Sequence, residues 1–283
     1  MQVPFLFLSI FSYSFQNVFR RKYAKNITGG DFTFNAIMSL FATVYFIITA
    51  GELSFDITTL LYSLLFALCC GATMVSILVA VREGSYALTN MIISYSLVIP
   101  TLFGPVFLHE SISPFAIAGL AVLLVSLYLV RGPKDDSSNA RPTLKWMVAL
   151  VLAFVANGMC SVSQKLQQIA QGGLYKNEFM IFAMAMLTVA FALMALFCEF
   201  DTVKRVRLNA LLPSACGLLN GISNHMVLIL TGMMSTAVYF PVLSASSLVI
   251  SFILSLAVYK EKLLKRQMVA AGMSILAIIL LNI

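Results

Sequence analysis

The chain has 283 residues, 60% of them hydrophobic and only 10% charged, with a formal net charge of +7. No water-soluble globule of this size can hide so much apolar surface, so composition excludes a soluble domain. It also removes nucleic acid as a partner: in a chain of this kind the bilayer is the partner, and Lys and Arg mark the loops that stay in the cytoplasm.

A spanning helix needs about 20 mostly apolar residues. Short polar interruptions cut the chain into ten such segments, at 3–22, 32–51, 57–81, 85–108, 113–131, 143–170, 177–199, 208–232, 235–259 and 265–282. The fold class this predicts is an all-α, multi-pass membrane protein. A β-barrel is excluded, because its strands would be about 10 residues long with alternating polarity. The first segment lacks a basic leader and is followed by RRKYAK rather than a small-residue cleavage site, so it reads as a mature helix and not a secretory signal.

On that first segment Ser9, Ser12, Gln16 and Arg20 share one helical face, with Tyr13 and Asn17 beside them. The fourth places Tyr86 and Asn90 on one face ahead of Pro100 and Pro105, and the fifth is nearly all apolar. Residues 132–142 (GPKDDSSNARP) form the longest wholly polar stretch, a linker dividing 1–131 from 143–283 with five segments in each part. On the sixth, Asn157, Ser161, Gln164, Lys165 and Gln168 follow steps of 4, 3, 1 and 3, which stacks them on one face. The eighth carries Gly217, Asn220, Gly221, Asn224 and the adjacent His225, and on the ninth Tyr239 precedes Pro241. Ser244, Ser247, Ser251 and Ser255 read as helix-to-helix packing. The five cysteines, Cys69, Cys70, Cys160, Cys198 and Cys216, match no zinc spacing and read as packing residues, neither bridged nor metal-bound.

The two parts align with each other. Asp31-Phe32 matches Glu178-Phe179 and Glu52 matches Glu199 at a separation of 147; Gly71 and Ala87 match Gly221 and Ala237 at 150; Glu110 matches Glu261 at 151. Such a weak internal repeat is the mark of a duplicated transporter. Five segments per copy put the second copy into the membrane in the opposite sense, and the loop charges follow. Arg20, Arg21, Lys22 and Lys25 belong to the first loop of copy one. In copy two the basic loops are the ones after Glu199 (Lys204, Arg205, Arg207) and around Glu261 (Lys260, Lys262, Lys265, Arg266). With Arg82, Arg131, Lys134, Arg141 and Lys145, 16 of the 18 basic residues fall on one side, leaving only Lys165 and Lys176 on the other. By the positive-inside rule the basic side is cytoplasmic, with both termini outside a plasma or bacterial inner membrane.

Ten helices in two inverted repeats, with GATMVSILVAVREGSYA echoed by GISNHMVLILTGMMSTA and each followed by a long helix ending in Glu, resemble the EamA-like members of the drug/metabolite transporter superfamily. The resemblance implies a cavity enclosed by the first, third, fourth, sixth, eighth and ninth helices, with the fifth and tenth peripheral. Two features depart from the family: its members of this size are usually drawn with cytoplasmic termini, and the membrane-embedded glutamate of the small multidrug members is absent from FLFLSIFSYSFQNVF.

All 11 acidic residues lie at helix ends or in loops, so the embedded polar groups are mostly neutral, which disfavours a cation pump. Asn157, Asn220, Asn224, Ser161, Asn17, Tyr86, Asn90 and Tyr239 are the expected substrate contacts, and Gln16, Gln164 and Lys165 the cavity approaches. His225, read first as a hydrogen-bonded interior residue, is also the one embedded group able to couple protons near neutrality. Pro100 and Pro241 are candidate hinges, because proline removes a backbone donor from its helix. The function these imply is secondary-active transport of a small polar or zwitterionic metabolite, amino acids among them, by alternating access. A lipid-headgroup flippase or multidrug exporter of the same fold is the alternative. No Walker loop, HExxH or GxSxG occurs, so neither ATP coupling nor a membrane enzyme is expected, and no cofactor or metal is implied.

Overall fold

The computed structural model describes residues 2–26, 29–83, 98–109, 113–130, 144–200, 210–235 and 237–243, with Ser96 and scattered positions between 245 and 280. Among them there are no strands. Eight helices have defined bounds: α1 Gln2–Asn26, α2 Asp31–Thr49, α3 Ile57–Glu83, α4 Val98–Phe107, α5 Pro114–Val130, α6 Leu144–Ala170, α7 Lys176–Cys198 and α8 Leu211–Met233. Residues 237–243 are also helical. Among the described residues five spans, within α2, α3, α6, α7 and α8, are long and apolar enough to cross a membrane. The linker 132–142 and both signature glutamates, Glu110 and Glu261, lie outside the described residues.

The chain forms two compact units, residues 1–67 with 163–233 and residues 68–162 with 234–283. In the first, α2 packs against α7, and α8 packs against both α1 and α2. The helices α2 and α7 run antiparallel, as the contacts at their two ends fix. At one end the Glu199 carboxylate accepts hydrogen bonds from the backbone N–H groups of Phe32 (3.0 Å) and Thr33 (2.9 Å) and from the Thr33 hydroxyl (3.0 Å). At the other, Glu178 accepts from the Ser54 N–H (3.3 Å), and Asn177 donates to the Thr49 carbonyl. The first N–H groups of any helix lack intrahelical partners, and Gly30, at the N-cap of α2, has no side chain to serve them. A carboxylate from the end of α7 does so instead, complementing the helix dipole. Between the two ends Met38, Ala42 and Phe46 of α2 and Phe179, Ala183, Leu187 and Phe191 of α7 are buried at helical spacing.

The approach of α8 to α2 depends on two small residues four positions apart. A Cβ on Gly217 would lie 2.4 Å from the Met38 carbonyl oxygen and 2.7 Å from the Phe41 Cβ, and one on Gly221 would lie 2.6 Å from the Tyr45 ring. Small residues at this spacing let membrane helices come into backbone contact. In contrast, Ile48 and Phe197 are 76% and 85% exposed, apolar side chains turned outward as lipid contact requires. The helix α6 ends in a Schellman turn: Gly173 N–H donates to the Gln168 carbonyl and Gly172 N–H to that of Ile169, with Gly172 at φ +57°.

In the second unit α6 meets α4 closely, since a Cβ on Gly158 would lie 2.5 Å from Ile99 and 2.9 Å from the Ser96 carbonyl oxygen. Small apolar clusters fill this unit: Leu123 with Ala245 and Ala277, and Ala80 with Ala149 and Leu150. All five cysteines are free, and Cys160 is in hydrogen-bond contact with Cys70.

Candidate functional site

The polar face read from the period of α6 is real in the first unit. Gln164, Gln167 and Gln168 are all buried, and so is Lys165, which is 8% exposed. Burying an amide without partners costs about 2–7 kcal/mol, so their bonding pattern is informative. Gln164 Nε2 donates to Asn224 Oδ1 (2.9 Å), and Asn224 Nδ2 donates in turn to the carbonyl (2.9 Å) and Oδ1 (3.1 Å) of Asn220. Three neutral amides from two helices thus form one continuous run, with Asn220 and Asn224 only half-buried. Lys165 Nζ donates to the Thr231 carbonyl (2.8 Å), and Gln167 Nε2 to that of Leu174.

His225, one residue beyond Asn224, has its Nδ1 3.3 Å from the Tyr45 hydroxyl and packs its ring against Tyr45 and Phe46 of α2. This is the geometry of a hydrogen-bonded interior histidine. Gln16, on α1, is buried, with Nε2 3.8 Å from the Met38 sulfur and its own carbonyl near the Cys216 thiol (3.7 Å). It does not join the amide run through any described contact.

The second unit holds the remaining described candidates. Asn157 is half-buried, with Nδ2 donating to the Ser96 hydroxyl (2.5 Å), and Ser161 lies half-buried one turn on. Tyr239 is fully buried with its ring edge-on to Phe240, and both Pro100 and Pro241 are buried in helical backbone. Tyr86, Asn90 and the side chain of Asn17 lie outside the described residues, as do Ser244, Ser247, Ser251 and Ser255. Asn157 and Asn220, both expected substrate contacts, thus belong to different units.

Three participants have no sequence signal of their own: Tyr45 behind His225, Ser96 behind Asn157, and Gln167 beneath the α6–α7 turn. The period of α6 marks its polar face, but a partner 60 residues away along the chain leaves no local trace. The described acidic residues, Asp31, Glu52, Asp56, Glu83, Glu178 and Glu199, all stand at helix ends or between helices. No cluster of His, Cys, Asp or Glu able to hold a metal occurs among the described residues. The chemistry available is hydrogen bonding by neutral amides with one buried ammonium at its edge, which suits recognition without covalent change.

Residues 1–132 match the model of the EamA-like transporter family. A solved structure described only as a crystal structure of a protein is similar over 99% of this chain and 95% of its own, with a TM-score of 0.80 at 13% sequence identity, a likeness of fold. No curated protein gives a significant match to the chain.

Proposed function

We propose that this chain, a multi-pass membrane protein whose residues 1–132 match the model of the EamA-like transporter family, is a secondary-active transporter that moves a small polar or zwitterionic metabolite by alternating access between two inverted five-helix repeats. The observation that carries the substrate class is the run Gln164–Asn224–Asn220, neutral amides in bonded register on two spanning helices with no carboxylate among them. Such a lining exchanges hydrogen bonds with an uncharged or zwitterionic solute and gives a lone cation no counter-charge. The inverted arrangement draws support from α2 and α7, helices that align at 147 residues and pack antiparallel.

Asn157 and Asn220 are the proposed mid-membrane contacts, with Gln16 and Gln164 lining the approaches. Losing one neutral hydrogen bond costs about 0.5–1.5 kcal/mol. Alanine at either asparagine is therefore expected to weaken solute binding about two- to tenfold with the fold intact, measured by titration of purified protein. Ser251→Ala, read from the sequence as a packing change, should lower stability and leave affinity alone. Normal binding with easier unfolding in the asparagine variants would make these side chains helix glue. Liposomes containing the protein should accumulate solute unchanged; a covalent product would favour an enzyme instead.

The 16 to 2 division of basic residues orients the chain with its linker in the cytoplasm. The pairing of residue 199 with residues 32 and 33 supports this, because it brings to one end of the α2–α7 pair two positions whose neighbouring sequence is basic. A single cysteine placed within 132–142, in a variant lacking the five native ones, is expected to resist an impermeant thiol reagent in intact cells. Labelling there would reverse the orientation.

A further inference from the structure

The two helices α2 and α7 begin alike. Their N-caps, Gly30 and Tyr175, both lie in the left-handed region (φ +77° and +55°) and supply no side-chain cap, and each first turn carries one acidic residue, Asp31 or Glu178. Each helix also ends beside a glutamate: Glu52 stands two residues past the C-cap of α2 and Glu199 is the C-cap of α7, and the two align at the separation of 147. They are used differently. Glu199 holds the start of α2 through three hydrogen bonds of 2.9 to 3.0 Å. Glu52 is exposed, and its carboxylate has no hydrogen-bond partner among the described residues.

The neighbours of Glu52 nevertheless set it against the start of α7. The carbonyl of Thr49, three residues before it, accepts from Asn177 Nδ2 (3.2 Å), and the N–H of Ser54, two residues after it, donates to Glu178 Oε1 (3.3 Å). Asn177 and Glu178 are the second and third residues of α7, whose N–H groups the helix itself leaves over. Phe32 and Thr33, which Glu199 serves, hold the same two places in α2. The Glu178 carboxylate is no bar to a second one, since Asp31 stands in the very turn that Glu199 caps, and Lys176 adds a positive charge where its match at 147, Gly29, has none.

We propose that Glu52 and Glu199 are alternating latches: Glu199 caps α2 in the conformation described, and in the oppositely facing one Glu52 caps α7 through the N–H groups of Asn177 and Glu178 while Glu199 lets go. The proposal rests on the alternating-access reading above and adds to it the residues that hold each state. When two inverted repeats exchange conformations, what one repeat does in the first state the other does in the second. An inequality between repeat-related residues therefore belongs to one state, and the exchange carries it to the opposite end of the helix pair. A carboxylate suits this task, because its charge-assisted bonds go to backbone donors at the positive end of a helix and need no matching side chain. All the residues involved lie within one compact unit.

The test follows both ends of the pair in full-length protein freed of its native cysteines. Nitroxide labels at Ala36 and Phe197 report the Glu199 end, those at Ile48 and Leu174 the Glu52 end, and pulsed electron paramagnetic resonance reads both distances. Wild type is expected to show mainly one distance at each end. Glu199→Ala should bring in a second population, longer at 36–197 and shorter at 48–174, with its ratio to the first raised about thirtyfold. Adding Glu52→Ala should remove that population, because neither state then has its latch and the original preference returns. Glu199→Gln, which keeps one acceptor oxygen, should move the same way by less and serves if the alanine variant does not fold. If loss of Glu199 loosens its own end without shortening the other, or if the Glu52 change leaves the second population in place, Glu199 is a fixed cap and the alternation is overturned. Solute uptake into liposomes is measured apart: Glu52→Ala should slow it at an unchanged melting temperature, whereas a wild-type protein that takes up nothing overturns the transport reading whatever the distances show.

Discussion

Gly217→Ala is expected to lower the stability of the purified protein by about 3 kcal/mol, and Gly217→Leu to leave no folded protein. The reason is what the new carbon would strike. Its nearest neighbour, at 2.4 Å, is a backbone carbonyl oxygen of α2, which has no rotamer to change, and the next is the Phe41 Cβ at 2.7 Å. Only a shift of α8 away from α2 relieves this, and the shift would loosen the packing along Met38 and Phe41. Gly221→Ala provides the contrast. There the obstacle is the Tyr45 ring, which can swing aside, so stability should fall less while the Tyr45–His225 contact is lost. Thermal melts in detergent measure the order, and a Gly217→Ala protein melting with the wild type would show that α2 and α8 do not meet as described.

Glu199→Ala is expected to cost about 2–3 kcal/mol, an N-cap loss augmented by charge. Three hydrogen bonds of 2.9 to 3.0 Å end on this one carboxylate, two of them from backbone donors that α2 cannot satisfy internally. Its half-buried position lets some water replace them, which keeps the figure below the sum of three charge-assisted bonds. Glu199→Gln retains one acceptor oxygen and should lose about half as much. Glu178→Ala should lose least, because the bonds from Ser54 are 3.3 and 3.5 Å long. Denaturation of the three variants should give that ranking, and a Glu178 variant weaker than the Glu199 variant would contradict it.

The spans were legible because a bilayer leaves so little choice. Wherever about 20 apolar residues run together the backbone must close its hydrogen bonds internally, and α2, α6, α7 and α8 begin and end within three residues of the apolar segments. The acidic pairs at a separation of 147, Asp31 with Glu178 and Glu52 with Glu199, were visible in the sequence, and Glu178 and Glu199 bond at the two ends of the α2–α7 pair. Their bonds across that pair were not, since which helix end a carboxylate caps depends on tertiary neighbours 124 to 167 positions away. Of the candidate site, helical period exposes the α6 stripe and the α8 amides, and the structure joins them through Gln164 and Asn224. The four-residue spacing of Gly217 and Gly221 is just as visible in the sequence, but it lies among amides, so polarity claims the face that packing uses.

One feature of the fold bears on the order in which the chain is made. The unit holding α1, α2, α7 and α8 is assembled from residues 1–67 and 163–233, so its first two helices leave the ribosome long before their partners exist. The cap of α2 arrives 167 residues after the N–H groups it serves, and the helix that packs on α1 later still. Until then α1 and α2 must wait in the bilayer with the polar face of α1 and the first N–H groups of α2 unmatched, in the custody of lipid, translocon or insertase. The stretch that matches the family model, residues 1–132, thus does not coincide with either compact unit.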